Sequence, residues 1–113
     1  MNQRSGTHAG ALQSELANDP DMADIVREFV AELPRRADEL EESWRSQRLD
    51  QVQRLAHQLK GSCGGYGFPT IGSAAAELES TLTAMSSGRS GLGSDALRRQ
   101  LSALLSLCRS ASA

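Results

Sequence analysis

Val52-Gln53-Arg54-Leu55-Ala56-His57-Gln58-Leu59-Lys60-Gly61-Ser62-Cys63-Gly64-Gly65-Tyr66 decides how this chain folds. Its apolar residues, Val52, Leu55, Ala56, Leu59, Cys63 and Tyr66, recur at spacings of three and four. At about 100° per residue they gather in one sector of a helix about 100° wide. His57 falls about 150° from the middle of that sector, so it faces solvent and fills no core. Gly61 stands one turn on along the same face, Gly64 lies close to that line, and Lys60 sits on the flank. The helix is expected to loosen at Gly64-Gly65 and to stop at Gly67, where a positive φ can end it.

The same rhythm extends outward in both directions. Upstream, Asn18-Asp19-Pro20-Asp21 reads as a helix start, with Asp19 or Asn18 capping and Pro20 in the first turn. Ile25, Val26, Phe29, Val30 and Leu33 form a stripe that Ala37, Leu40 and Trp44 continue in phase. Pro34 predicts either a bent helix or two abutting ones. The outer face mixes Arg35, Arg36, Asp38, Glu39, Glu41, Glu42, Arg45 and Arg48, as a solvated face laced with ion pairs does. Gln47 to Asp50 forms a short connection, with Asp50 as the next cap. Downstream, Phe68-Pro69-Thr70 opens a helix with Ile71, Ala74, Ala75, Leu78, Leu82 and Met85 on one face. Ser86 to Gly93 reads as a loop, and Ser94 as the cap of a last helix with Leu97, Leu101, Leu104, Leu105 and Cys108 inward.

Nothing alternates with period two, so no strand is expected. The fold class is all-α, an antiparallel four-helix bundle with an additional short or kinked N-terminal helix. Residues 1–18, which include His8, read as a flexible tail with at most a turn of helix around Ala11 to Leu16. Residues 19–113 read as the bundle domain.

Composition excludes several classes of function. The 113 residues suit one domain, and with 39% hydrophobic but only 4% aromatic residues its core is aliphatic. A net charge of −2 argues against bulk binding to nucleic acid or an anionic membrane. No apolar run approaches the ~20 residues of a membrane span, and Met1 to Gly10 lacks a signal-peptide core, which predicts a cytoplasmic protein. Cys63 and Cys108 have no metal-type spacing and read as buried thiols; with two histidines, no metal site is expected.

A free imidazole, with a pKa of about 6.5, is largely neutral and nucleophilic near pH 7. An exposed histidine, a lysine three residues on and a glycine that clears the surface together suit moving a phosphoryl group onto and off the ring. The competing reading is an unremarked surface histidine beside a lysine, which is common on helices.

The run Ala56-His57-Gln58-Leu59-Lys60-Gly61-Ser62, then Gly67, then Leu78-Glu79, resembles the histidine-containing phosphotransfer (HPt) domain family. The family motif is A-H-x-L-K-G-S, with a glycine ten residues after the histidine and an L-E pair further on. Phe29, the Leu33-Pro34 step, Leu40 and Asp50 also stand where that family has its first helices and the start of the histidine helix. The likeness spans about residues 19 to 85. Gly65 to Phe68 resembles the phosphotransfer domain of chemotaxis-type histidine kinases in addition.

The resemblance implies that His57 is phosphorylated at Nε2, Lys60 screens the phosphoryl charge and Gly61 leaves room for a receiver domain. It implies that Glu79 bonds the other ring nitrogen, as in chemotaxis-type members; an ordinary exposed glutamate is the competing reading. Gln53, Gln58 and Gly64 border the histidine as candidate partner-binding residues. The expected protein is a monomeric phosphoryl carrier, not a stand-alone enzyme, and it lacks a nucleotide-binding or kinase motif. It binds no cofactor itself, and Mg²⁺ is expected on the partner receiver. Its expected partners are response-regulator receivers and an upstream histidine kinase, in a His-Asp phosphorelay of two-component signalling. The alternative is the phosphotransfer module of a chemotaxis-type or hybrid kinase, phosphorylated from ATP; the absence of kinase sequence in this chain favours the stand-alone carrier. A different class is a non-catalytic helical domain that binds receivers.

Overall fold

Short links between helices that are apolar on one face only leave them little choice but to fold back on one another. The structure, a computed structural model, describes residues 12–86, 88 and 94–112. Four helices are seen among them: α1 (Ala23–Arg45), α2 (Leu49–Gly65), α3 (Pro69–Ser86) and α4 (Ser94–Ser110). Two short strands, β1 (Leu12–Gln13) and β2 (Ala111–Ser112), pair in parallel. The expected four-helix bundle is present, and the proline-containing N-terminal helix is itself one of the four. It passes Pro34 as a single element, with Leu33 and Ala37 both fully buried. Of the expectations for the remaining residues, those for His8 and the rest of 1–11, most of the loop at 86–93, and the cap by the Ser94 side chain lie outside the described residues.

The core draws on every helix. Val26, Phe29, Leu33, Ala37 and Leu40 come from α1, and Val52, Ala56, Leu59 and Cys63 from α2. Ile71, Ala75, Leu78 and Leu82 come from α3, and Leu97, Leu101, Leu104, Leu105 and Cys108 from α4. Each leucine so buried contributes about 1.5–3 kcal/mol relative to exposure. The stripe of α1 is narrower than its sequence predicts: Ile25 is exposed and Val30 half-buried, because the inward line runs through Val26 and Phe29. Leu55, Tyr66, Ala74, Met85 and Trp44 lie at the core's edge.

Helices α2 and α3 run antiparallel in a defined register. Gln53 meets Thr83, His57 meets Glu79, and Gly72 lies against the backbone of Lys60 and Gly64. A Cβ on Gly72 would stand 3.6 Å from the Lys60 carbonyl oxygen, an ordinary van der Waals contact, so the helices approach closely here with room for no more than a small side chain. Across the bundle, Arg109 of α4 bridges Asp38 and Glu41 of α1, both at 3.0 Å.

Three local expectations are corrected. Asp19 does not cap α1: its Oδ1 accepts the Asp21 N–H at 2.9 Å in a local turn, and the helix begins at Ala23 after Met22, which gives no side-chain cap. Asp50 lies inside the first turn of α2, where its carboxylate meets the positive helix end, and Arg48 holds the cap position without a side-chain bond. Residues 12–18, assigned above to the tail, are built into the fold. Leu12 and Gln13 are extended, not helical, and a two-residue ladder is too short to leave a period-two signal in sequence. Beyond it, Ser14 Oγ donates to the Tyr66 carbonyl at 2.6 Å and the Glu15 N–H donates to the Gly67 carbonyl at 2.8 Å. Leu12 and Leu16 pack against the core.

Candidate functional site

The inward face of α2 anchors the helix and leaves His57 outside, with 64% of its side chain exposed. The ring is nevertheless held. Its Nδ1 lies 2.7 Å from Glu79 Oε2, across the α2–α3 seam. Glu79 places its other oxygen, Oε1, 2.9 Å from Lys60 Nζ. With 19% of its side chain exposed, Glu79 is the inner member of the three. Its carboxyl is held below the ordinary glutamate value, first by the hydrogen bond from Lys60 and then by that from His57, while burial opposes both.

A carboxylate only accepts hydrogen bonds, so the proton of a neutral His57 ring resides on Nδ1 and the lone pair on Nε2. The arrangement therefore offers one imidazole nitrogen of fixed tautomer as a nucleophile. A second layer supports it: Gln53 Nε2 donates to Thr83 Oγ1 at 2.8 Å, and Thr83 Oγ1 donates to the Glu79 carbonyl at 2.9 Å. Side-chain bonds of this kind fix the ring more closely than packing at an exposed position does.

The structure thus brings together His57, Lys60 and Glu79. Gln53 stands with them as part of the support under Glu79, half-buried rather than displayed. Gln58 is exposed on the opposite flank, beside α1. At Gly61 and Gly64 a Cβ would meet nothing within 4 Å, so the surface beyond His57 is bare backbone open to solvent. Thr83 was not foreseen from sequence. Only its position four residues after Glu79, facing the seam, distinguishes it from other small residues of α3.

Cys63 and Cys108 are buried free thiols, and burial pushes them up to about 12 and about 11. They belong to the core. Among the described residues no group of three or more His, Cys, Asp or Glu side chains is placed to hold a metal ion, and no helix is long and apolar enough to cross a membrane.

No curated protein and no solved structure matches the chain. The family model for the Hpt domain matches residues 24–111, from the start of α1 to β2. With most of its length so matched, the chain belongs to the Hpt domain family, whose members carry out histidine phosphotransfer in two-component phosphorelays.

Proposed function

We propose that His57 carries a phosphoryl group between aspartates of two receiver domains. The observation that supports this best is the 2.7 Å bond from His57 Nδ1 to Glu79 on a ring that is otherwise exposed. In the forward step the Nε2 lone pair attacks the phosphorus of an aspartyl phosphate. The Nε2–P bond forms, the P–O bond to the aspartate breaks, and the carboxylate leaves. The ring keeps its Nδ1 proton and becomes cationic, and Glu79 offsets that charge. The reverse step on a second receiver restores the neutral ring. The Mg²⁺ that would draw charge from the phosphoryl oxygens belongs to the receiver. Lys60, one turn beyond the histidine, screens the same oxygens, and the bare surface at Gly61 and Gly64 lets the receiver approach. Monomeric action fits this scheme, since the histidine, its orienting carboxylate and the docking face all lie on one chain.

A second source of phosphoryl is favoured by one contact. The Glu79–His57 bond is the one that resemblance to chemotaxis-type members implies, and in those a kinase domain phosphorylates the histidine from ATP. Both readings use the same residues and part on the donor.

The test is to incubate the chain with acetyl-phosphate-charged receivers, and separately with a kinase core and ATP, and to look for acid-labile, alkali-stable label. Label from a receiver, abolished in His57→Gln, is expected. Label that survives His57→Gln, or none from any of a panel of receivers, overturns the carrier reading, and label from the kinase core alone selects the second source. Gly61→Gln is expected to fold and to lose transfer; a wild-type rate would remove clearance from the argument.

A further inference from the structure

The two flanks of His57 differ in how their charge is balanced. On the α3 side Lys60 is matched by Glu79 at 2.9 Å. On the α1 side a groove of about 390 Å³ runs between α1 and α2, and Arg35, Arg36 and Arg54 line it together with Glu39, Gln51 and Gln58. Arg54 is three residues before His57 and Gly61 four after it, so the three stand in one row along α2. The groove therefore opens directly beside the bare surface over which a partner would sit.

Its arginines are incompletely matched. Arg35 divides between Glu32 and Glu39, 3.2 Å from each. Arg36 lies over the Phe29 ring at 5.5 Å, and its Nε is buried without a hydrogen-bond partner, 3.7 Å from Glu32. Arg54 donates to the neutral side-chain oxygen of Gln51 and, among the described residues, makes no ion pair. Arg35 and Arg36 thus share Glu32 and Glu39 while Arg54 has neither, a local positive excess in a chain whose net charge is −2. The planar fork of an arginine fits a carboxylate through two parallel N–H bonds.

We infer that this α1–α2 groove receives carboxylate side chains of the protein docked over His57, with Arg54 as the principal contact, and so selects receivers by the acidity of the surface beside their active site. The inference rests on the reading of His57 as the phosphoryl carrier and adds to it a second, chemically distinct part of the docking surface. Charge at such a rim acts on encounter rate and on the choice between partners.

The experiment titrates the chain with a receiver that exchanges label with His57, following affinity and the NMR signals of His57 and of the arginine side-chain Nε–H groups. The Arg36 and Arg54 signals are expected to shift together with those of His57. Arg54→Glu is expected to weaken binding about tenfold and Arg54→Lys about twofold. Wild-type affinity should fall between about 0.05 M and about 0.3 M salt, with a shallower fall in Arg54→Glu. Arg98→Glu, on the exposed face of α4, serves as the control with wild-type affinity, and circular dichroism checks that each variant folds. Arg54→Glu binding as tightly as wild type, or arginine signals that stay still while those of His57 move, overturns the inference alone. A wild-type chain that takes label from no receiver overturns the carrier reading and this inference with it.

Discussion

Glu79 spends its two oxygens on two different partners, and this division sets the behaviour of the site with pH. Its folded-state pKa lies below the ordinary value of 4.5, chiefly because Lys60 bonds to the charged form. A carboxyl depressed on folding contributes stability that is fully present above its unfolded pKa and is lost as pH falls through its folded pKa. Urea unfolding from about pH 6 down to about pH 3 is therefore expected to show wild type losing stability relative to Glu79→Gln. The same substitution removes the anion that fixes the ring's tautomer, and transfer to a receiver is expected to slow by roughly tenfold, the kinetic equivalent of about 1.4 kcal/mol from one charge-assisted hydrogen bond. Unchanged transfer would reduce Glu79 to a salt-bridge partner of Lys60. His57, Lys60 and Gly61 are readable from the helical wheel because each departs from the apolar stripe of its own helix. Glu79 needed the resemblance as well, since its meaning depends on which residue of another helix it faces. Thr83 and Arg54 had no such signal: one is a small residue among small residues, the other an arginine on a solvated face whose lack of a carboxylate partner exists only in three dimensions.

The turn between α2 and α3 is where element boundaries follow most directly from sequence. Gly67 has a φ of +83°, the conformation its place after the histidine helix predicts. It carries a second constraint that the helical pattern could not convey. A Cβ there would lie 2.5 Å from Ser14 Oγ and 3.0 Å from the backbone nitrogens of Glu15 and Leu16. Gly67→Ala is expected to cost about 1–3 kcal/mol, from left-handed strain together with displacement of the segment before α1, as read from the urea midpoint. A loss confined to a few tenths would mean that the segment yields freely. The caps were less legible than the stop. Asp19 and Asp50 are good capping residues, but an aspartate serves a turn or the first helical turn equally well, and the choice is made by backbone geometry.

At the scale of the whole molecule, the bundle is sealed at one end by residues 12–18. This segment pairs with β2, bonds to Tyr66 and Gly67, and sets Leu12 and Leu16 on the core. Deleting residues 1–18 is expected to lower stability by on the order of 2 kcal/mol, measured by urea unfolding, while far-ultraviolet circular dichroism stays helical. An unchanged midpoint would return the segment to the status of a tail. The bundle itself was legible because four apolar stripes leave few ways to be buried. The seal was not, because its contacts come from polar backbone groups and two leucines without a period. The parallel pairing of Leu12 with Ala111 has a further consequence. Both ends of the folded unit emerge at one place, next to the turn that follows α2, and His57 lies nine residues back along that helix, about 14 Å away. Polypeptide attached at either end departs from a common root set apart from the imidazole. The domain is thus laid out as a pendant that can be spliced into a larger chain, or permuted by joining its ends, while its working face stays clear.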